Sequence, residues 1–295
     1  MEEDAAFAPA KVNLTLRVTG RRPDGYHLLD SFVVFAGIGD RLSVSPASDL
    51  SLTVTGPFAS GLAGAEDNLV LRAARALAEA GGIVPFGALT LEKNLPLASG
   101  IGGGSSDAAA ALRLLSLYWG LTVPPETLAP IALRLGADVP VCLLRLPVRM
   151  AGIGEVISPV PALPRGLGLL LVNPGLACPT PAIFRARAAA GTPFSAADAV
   201  PGRGFETTAE LAAALSASGN DLEGAAIGIT PEIGTVLATI AGAAGCRLAR
   251  MSGSGATCFG LFATVAEAEA SAAALRRPGW WVWGGGLYEP PRSAL

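Results

Sequence analysis

The sequence predicts a two-domain α+β protein, and three observations predict it. Strand-like runs alternate with helical runs along the first half, the pattern of a mixed domain. The chain has 295 residues, 51% hydrophobic and 15% charged, enough for a large buried core and for two domains. Beyond the segment 149–164 a second series of strands and Ala/Gly-rich helices begins, so the domains are placed at 1–155 and 156–295.

In order, residues 14–18, 32–35, 41–44, 50–54 and 89–93 have strand composition, and 69–80 and 108–118 have helical spacing. Pro124 and Pro125 fit a helix start before 126–135, and Gly136 fits the C′ position after it. Asp138 is therefore expected just past a helix end, on a turn fixed by the backbone. In the second half a strand is predicted at 167–172 and helices around 181–189, 208–215, 231–241 and 266–275. Further strands are expected near residue 248 and at 281–283.

Composition excludes several classes. The formal charge of −3 comes from 21 basic and 24 acidic side chains without a Lys/Arg block, so the footprint of a nucleic-acid binder is missing. Cys142, Cys178, Cys246 and Cys258 are scattered and the chain has one histidine, which argues against a Cys/His metal site and a disulfide framework. Glu2, Glu3 and Asp4 open a sequence with no apolar signal region, and no apolar run approaches a membrane span. The expected setting is cytoplasmic, without a membrane or nucleic-acid partner, as a monomer or weak homodimer.

The densest chemical signal is Pro96-Leu97-Ala98-Ser99-Gly100-Ile101-Gly102-Gly103-Gly104-Ser105-Ser106-Asp107, opening into an apolar run. Its glycines let the backbone turn and approach a ligand, and Ser105 and Ser106 read as N-cap residues of the helix that follows. Bare N–H groups at a helix start bind phosphate. No lysine follows the glycines, so the loop is not a Walker A motif, and Ser105 falls where a dinucleotide fingerprint needs its last glycine. A flexible turn before a buried helix is the plain alternative.

Three further segments narrow the choice. Ala8-Pro9-Ala10-Lys11-Val12-Asn13-Leu14 leads into Asp24-Gly25-Tyr26-His27; Leu135-Gly136-Ala137-Asp138-Val139-Pro140 stands mid-chain; Ser252-Gly253-Ser254-Gly255-Ala256-Thr257 comes late. With the glycine-rich loop, these segments resemble the GHMP small-molecule kinases, in the family's order. They are most similar to the branch that phosphorylates the 2-hydroxyl of a cytidine diphosphate-linked alcohol in the non-mevalonate isoprenoid pathway. The resemblance implies a ribosomal protein S5 domain 2-like N-terminal domain, a ferredoxin-like C-terminal domain, an active site in the cleft between them, and ATP with Mg²⁺. One departure stands out: Arg145-Leu146-Pro147-Val148 occupies a stretch where relatives usually carry glycines.

Phosphoryl transfer to an alcohol needs an anion cradle, a cation and a group that accepts the hydroxyl proton. Pro96, Ala98, Ser99, Gly100, Ile101, Gly102, Gly103, Gly104, Ser105 and Ser106 are the expected ATP cradle, with Ser105 or Ser106 reaching phosphate or Mg²⁺. Asp138 is the candidate base, since a carboxylate is ionised at neutral pH; turn chemistry is its alternative. Lys11 interrupts an apolar strand pattern, where a lysine is costly unless exposed at an edge or paired; the resemblance pairs it with Asp138. Asn13 faces the same side of that strand. The resemblance also implies that Tyr26 stacks on the cytosine, that His27 bonds its edge, and that Phe184 is a second ring, with Thr180 and Ile153 lining the same pocket. Phe184 reads equally well as core. A different GHMP kinase acting on homoserine, mevalonate or a sugar, and a non-catalytic nucleotide-binding protein, remain open readings.

Overall fold

The computed structural model describes residues 5–62, 68–198 and 203–290; Glu2, Glu3 and Asp4 lie outside them. Two compact units share the chain in alternation. One takes residues through 10, then 38–97 and 102–145; the other takes 11–37, 98–101 and 146 onward. No single cut at 155 produces these units, because strands β1 (Ala5–Asn13) and β3 (His27–Ser45) contribute residues to both.

In the first unit, β5 (Gly87–Glu92) runs antiparallel to the end of β3, from Arg41 opposite Glu92 to Ser45 opposite Ala88, and parallel to β4 (Leu50–Thr55). Helix α1 (Leu69–Gly81) starts where the Asn68 side chain accepts the Val70 N–H at 2.9 Å and ends at Gly82 in the left-handed conformation. It packs on α2 (Gly103–Tyr118), whose fully buried Ala108, Ala109, Ala110 and Ala111 permit close approach. Helices α3 (Pro125–Leu135) and α4 (Val139–Leu144) complete the layer.

In the second unit, β2 (Arg17–Arg21) and β6 (Val148–Gly152) flank the first part of β3, and β7 (Val156–Pro159) pairs with β6, all antiparallel. A separate antiparallel sheet has the order β11-β8-β10-β9, from β8 (Gly168–Asn173), β9 (Leu248–Met251), β10 (Cys258–Phe262) and β11 (Trp281–Gly285). Helices α5 (Thr180–Ala189), α6 (Thr208–Ser216), α7 (Glu223–Ile229), α8 (Glu232–Ala241) and α9 (Val265–Leu275) belong here. Leu170, Val172, Ile183, Ile233, Val236, Ile240, Met251 and Phe262 form their shared core.

Several elements differ from the sequence reading. The strand expected at 14–18 is broken, because the Leu14 N–H goes to Phe32 and the Leu16 N–H to Gly219. The two strands expected at 32–35 and 41–44 are one, since the Gly-rich link between them continues extended. Helices α4 and α7 and strands β6, β7 and β10 are not among the elements the sequence predicts; β10 is wholly buried, so it shows no alternation. The four cysteines are free thiols. Among the described residues no helix is long and apolar enough to cross a membrane.

Candidate active site

In the first unit, α2 begins at Gly103, not after the serines. Gly102 is its N-cap, with φ 63°, and Ser105 and Ser106 fall in the first turn. The Ser106 N–H closes on Gly102 at 2.8 Å and its buried hydroxyl donates to the Pro9 carbonyl at 2.8 Å. The N–H groups of Gly103, Gly104 and Ser105 precede the first intrahelical bond, so they and the helix dipole form the anion-binding end. Pro96 is buried ahead of this turn, while Gly104 is its most exposed residue.

Beneath α2 lies a charged cluster that the sequence did not reveal. The Lys93 ammonium contacts Asp40 and sits 2.7 Å from Asp107, all three almost fully buried. The second Asp40 oxygen accepts the N–H groups of Asn94 and Leu95. Burial, opposed by Lys93 and reinforced by Asp40, pushes the Asp107 carboxyl up to about 8. Burial works against the Lys93 charge, yet the two carboxylates outweigh it and hold its pKa above the ordinary value. A Cβ on Gly103 would stand 3.5 Å from Lys93 Nζ. In sequence each member looks like an ordinary strand or loop charge; only the fold joins them.

Asp138 is the N-cap of α4, half-buried, three positions past the end of α3. Its carbonyl accepts the Cys142 N–H at 3.1 Å. Gly136 closes α3 with an extended φ of 166°, so the expected left-handed C′ residue is not what ends this helix.

The second unit holds the other predicted site residues. Lys11 is only 3% exposed, which removes the surface-edge reading, and its N–H donates to the Ile101 carbonyl at 2.9 Å. Asn13, two positions along β1, donates its N–H to Ser252 Oγ at 3.1 Å and its amide nitrogen to Ser31 at 2.7 Å. Its buried Oδ1 has no partner among the described residues, which leaves an acceptor for a ligand. The first half of the glycine-rich loop rests on the late Ser/Gly segment. Ser99 accepts the Thr257 N–H at 3.1 Å, and Gly100 accepts the Ser252 hydroxyl at 3.0 Å. Gly100 has φ +75°, and a Cβ there would lie 2.5 Å from the Ser252 carbonyl oxygen, so no other residue fits. The neighbouring Ala98 adopts φ 47° without being glycine. Ser252 thus ties Asn13 to the loop; its place in a small-residue turn was the only clue.

In the same unit, His27 lies parallel on Phe184, with centroids 4.3 Å apart and planes at 19°. Phe184 also packs against the core cluster, the plain alternative of the sequence reading. Tyr26 is 58% exposed, its N–H donating to Asp24. Burial and then the charges of Arg21 and Arg187 hold the His27 imidazole below its ordinary pKa. Thr180, at the start of α5, shares a 2.7 Å hydrogen bond with Ser254. Ile153 sits in the β6–β7 turn, where its N–H donates to the Glu155 carboxylate at 2.6 Å.

Membership of the two units divides the predicted residues. Lys11, Asn13, Tyr26, His27, Ile153, Thr180, Phe184 and 98–101 belong to one, and Pro96, 102–106 and Asp138 to the other. A cavity of about 510 Å³ in the second unit has none of them in its wall. The charges lining it are spent on each other: Arg149 on Asp30, and Arg17 on Asp198. It offers no free charge to an anionic substrate.

Comparison with known proteins gives a consistent picture. Residues 68–145 match the GHMP kinases N terminal domain and residues 196–279 the GHMP kinases C terminal domain. A 4-diphosphocytidyl-2-C-methyl-D-erythritol kinase of Paramagnetospirillum magneticum is 57% identical over 93% of this chain and 95% of its own. One of Gluconacetobacter diazotrophicus is 51% identical over 96% and 95%. A crystal structure of 4-(cytidine 5'-diphospho)-2C-methyl-D-erythritol kinase superposes with a TM-score of 0.75 at 36% identity, covering 97% of this chain and all of that one. A homoserine kinase from Cytophaga hutchinsonii matches with a TM-score of 0.66 at 18% identity, covering 97% and 96%, a likeness of fold.

Proposed function

The chain belongs to the GHMP kinase family, and from that premise we propose its reaction: transfer of the terminal phosphoryl group of ATP to the 2-hydroxyl of 4-diphosphocytidyl-2-C-methyl-D-erythritol. The product is an intermediate of non-mevalonate isoprenoid-precursor synthesis. The observation that carries this reading is similarity along nearly the whole chain, at 51–57% identity, to kinases of that substrate.

In this reading the ATP phosphates lie on the N–H groups of Gly103, Gly104 and Ser105, with Pro96, Ala98, Ser99, Gly100, Ile101, Gly102 and Ser106 shaping the loop. Asp138 accepts the proton of the 2-hydroxyl as the phosphoryl group leaves ATP, and Lys11 supplies positive charge to the transferring group. The unpartnered Asn13 Oδ1 accepts a hydrogen bond from the substrate alcohol. Tyr26 stacks on the cytosine, with Phe184, which carries His27, as the second ring of the pocket; His27 bonds the base edge, and Thr180 and Ile153 line the same pocket.

Mg²⁺ enters as a companion of ATP. Among the described residues no three His, Cys, Asp or Glu side chains gather to hold a metal, and Asp107 is committed to Lys93. The Ser105 hydroxyl, in the first turn of α2, would be the protein ligand of Mg²⁺ beside the ATP phosphates. The ion would neutralise phosphate charge. The division at 155 belongs to the same proposal, since the N terminal match ends at 145 and the C terminal match begins at 196. So do a cytoplasmic setting and a monomer or weak homodimer.

An ADP-release assay with a panel of alcohols tests the reading. Turnover of the cytidine compound with homoserine, mevalonate and galactose inert supports it. Turnover of one of those alcohols in its place would sink it.

A further inference from the structure

Cytosine and uracil have similar stacking faces and differ along one edge: position 4 is an amino donor in cytosine and a carbonyl acceptor in uracil, and N3 is an acceptor in cytosine and an N–H donor in uracil. Aromatic rings therefore hold either base equally well, and discrimination falls to whatever meets that edge. The His27 imidazole lies parallel on Phe184 and covers that face of the ring, so its ring nitrogens point sideways out of the stack, where the edge of a base lying beside it can meet them. Neutral imidazole offers one lone pair to an amino group; imidazolium offers two donors and suits a carbonyl instead.

Two arginines stand by this ring. Arg21 is directly opposite His27 in the β2–β3 ladder. Arg187 lies on α5, three positions after Phe184, is 4% exposed, and leaves its Nε without a partner among the described residues. It donates to the Pro193 carbonyl at 2.7 Å and lies 3.8 Å from Asp221. The acids on the surrounding elements are already engaged. Asp24 in the turn pairs with Arg22 at 2.8 Å, Asp30 on β3 with Arg149, Asp221 with Arg17, and Glu155 accepts the Ile153 N–H. Arg185, also on α5, is exposed.

We propose that Arg21 and Arg187 are positioning residues that keep the His27 imidazole unprotonated, so that its lone pair reads the cytosine amino group and rejects uracil. The proposal rests on the reading of His27 as the base-edge contact. Its electrostatic half agrees with the lowered pKa of this group, to which burial contributes most and the two arginines add. At acid pH the ring protonates and the preference weakens.

The chain has a single histidine, so its imidazole C–H resonance is unambiguous in NMR. Titrating the ligand-free protein should give a midpoint below the ordinary ~6.5 in wild type, a higher one in Arg21→Gln and in Arg187→Gln, and a return towards wild type in Arg21→Lys. Arg21 is exposed, so Arg21→Gln keeps the test valid if the buried Arg187→Gln fails to fold. The ratio of kcat/KM for cytidine and uridine forms of the substrate should fall with decreasing pH at that same midpoint and shift with it in Arg21→Gln. An unmoved NMR midpoint in Arg21→Gln overturns the proposal, and so does a moved midpoint with a pH-independent ratio. Absence of cytidine-substrate turnover in wild type would instead overturn the functional reading on which the proposal stands.

Discussion

Asp138→Asn and Lys11→Met remove the proposed proton acceptor and the proposed cation, so each should lower kcat by about 100-fold or more while ATP still binds. Because they act on one transfer, the double variant should lose less than the product of the single losses, measured by steady-state kinetics; near-normal turnover in either single variant contradicts the assignment. A second residue-scale expectation concerns the buried cluster. Lys93→Met strands the Asp40 carboxylate in the interior and removes the partner of Asp107, and should cost about 3–5 kcal/mol in denaturant unfolding. These roles were unequally legible. Lys11 announced itself as a charge in an apolar strand, whereas Lys93, Asp107 and Arg187 acquire meaning only from partners on other elements of the chain.

The glycine-rich loop separates two kinds of glycine. Gly100 combines a positive φ with the Ser252 carbonyl at contact distance, so Gly100→Ala should destabilise the fold by about 1–3 kcal/mol. Gly103 points towards Lys93 and Asp40, so a bulky residue there disturbs the buried charges first. Gly104 is exposed, and a Cβ at this position would meet Leu69 at an ordinary 3.5 Å, so Gly104→Val should weaken ATP binding about tenfold or more with the melting temperature nearly unchanged. Calorimetry with ATP beside thermal unfolding checks both variants; unchanged affinity in Gly104→Val removes this turn from the nucleotide site. The loop-to-helix transition was readable because glycines and an Ala/Leu run are local signals. The exact cap was not, because two serines are better N-cap residues than the Gly102 that takes the position. Helix α4 stayed hidden for a similar reason: six residues with a proline carry too little periodicity.

At the scale of the molecule, stability should follow the proton on Asp107. Its carboxyl is raised to about 8 in the folded state from about 4 unfolded, so the native protein binds the extra proton between those values. The stabilisation is complete below about pH 4 and is lost as pH rises through about 8. The melting temperature of wild type should therefore decline from pH 6 to 9 more steeply than that of Asp107→Asn, and parallel slopes would show that the cluster holds no such proton. The family was legible from four short segments in order, since each marks a backbone turn or a polar residue that packing alone does not require. The interleaving of the two units was not, because strands β1 and β3 give no local sign of serving both.

The most direct measurement of the central claim is phosphorus NMR of the product formed from ATP and 4-diphosphocytidyl-2-C-methyl-D-erythritol. Carbon 2 carries a methyl group and no hydrogen, so a phosphate on its hydroxyl lacks the coupling to a carbinol proton that a phosphate on any other carbon of the chain would show. The account predicts one new phosphomonoester resonance per ADP released, unsplit by such a proton. A split resonance, or ADP release with no new phosphomonoester, would contradict it.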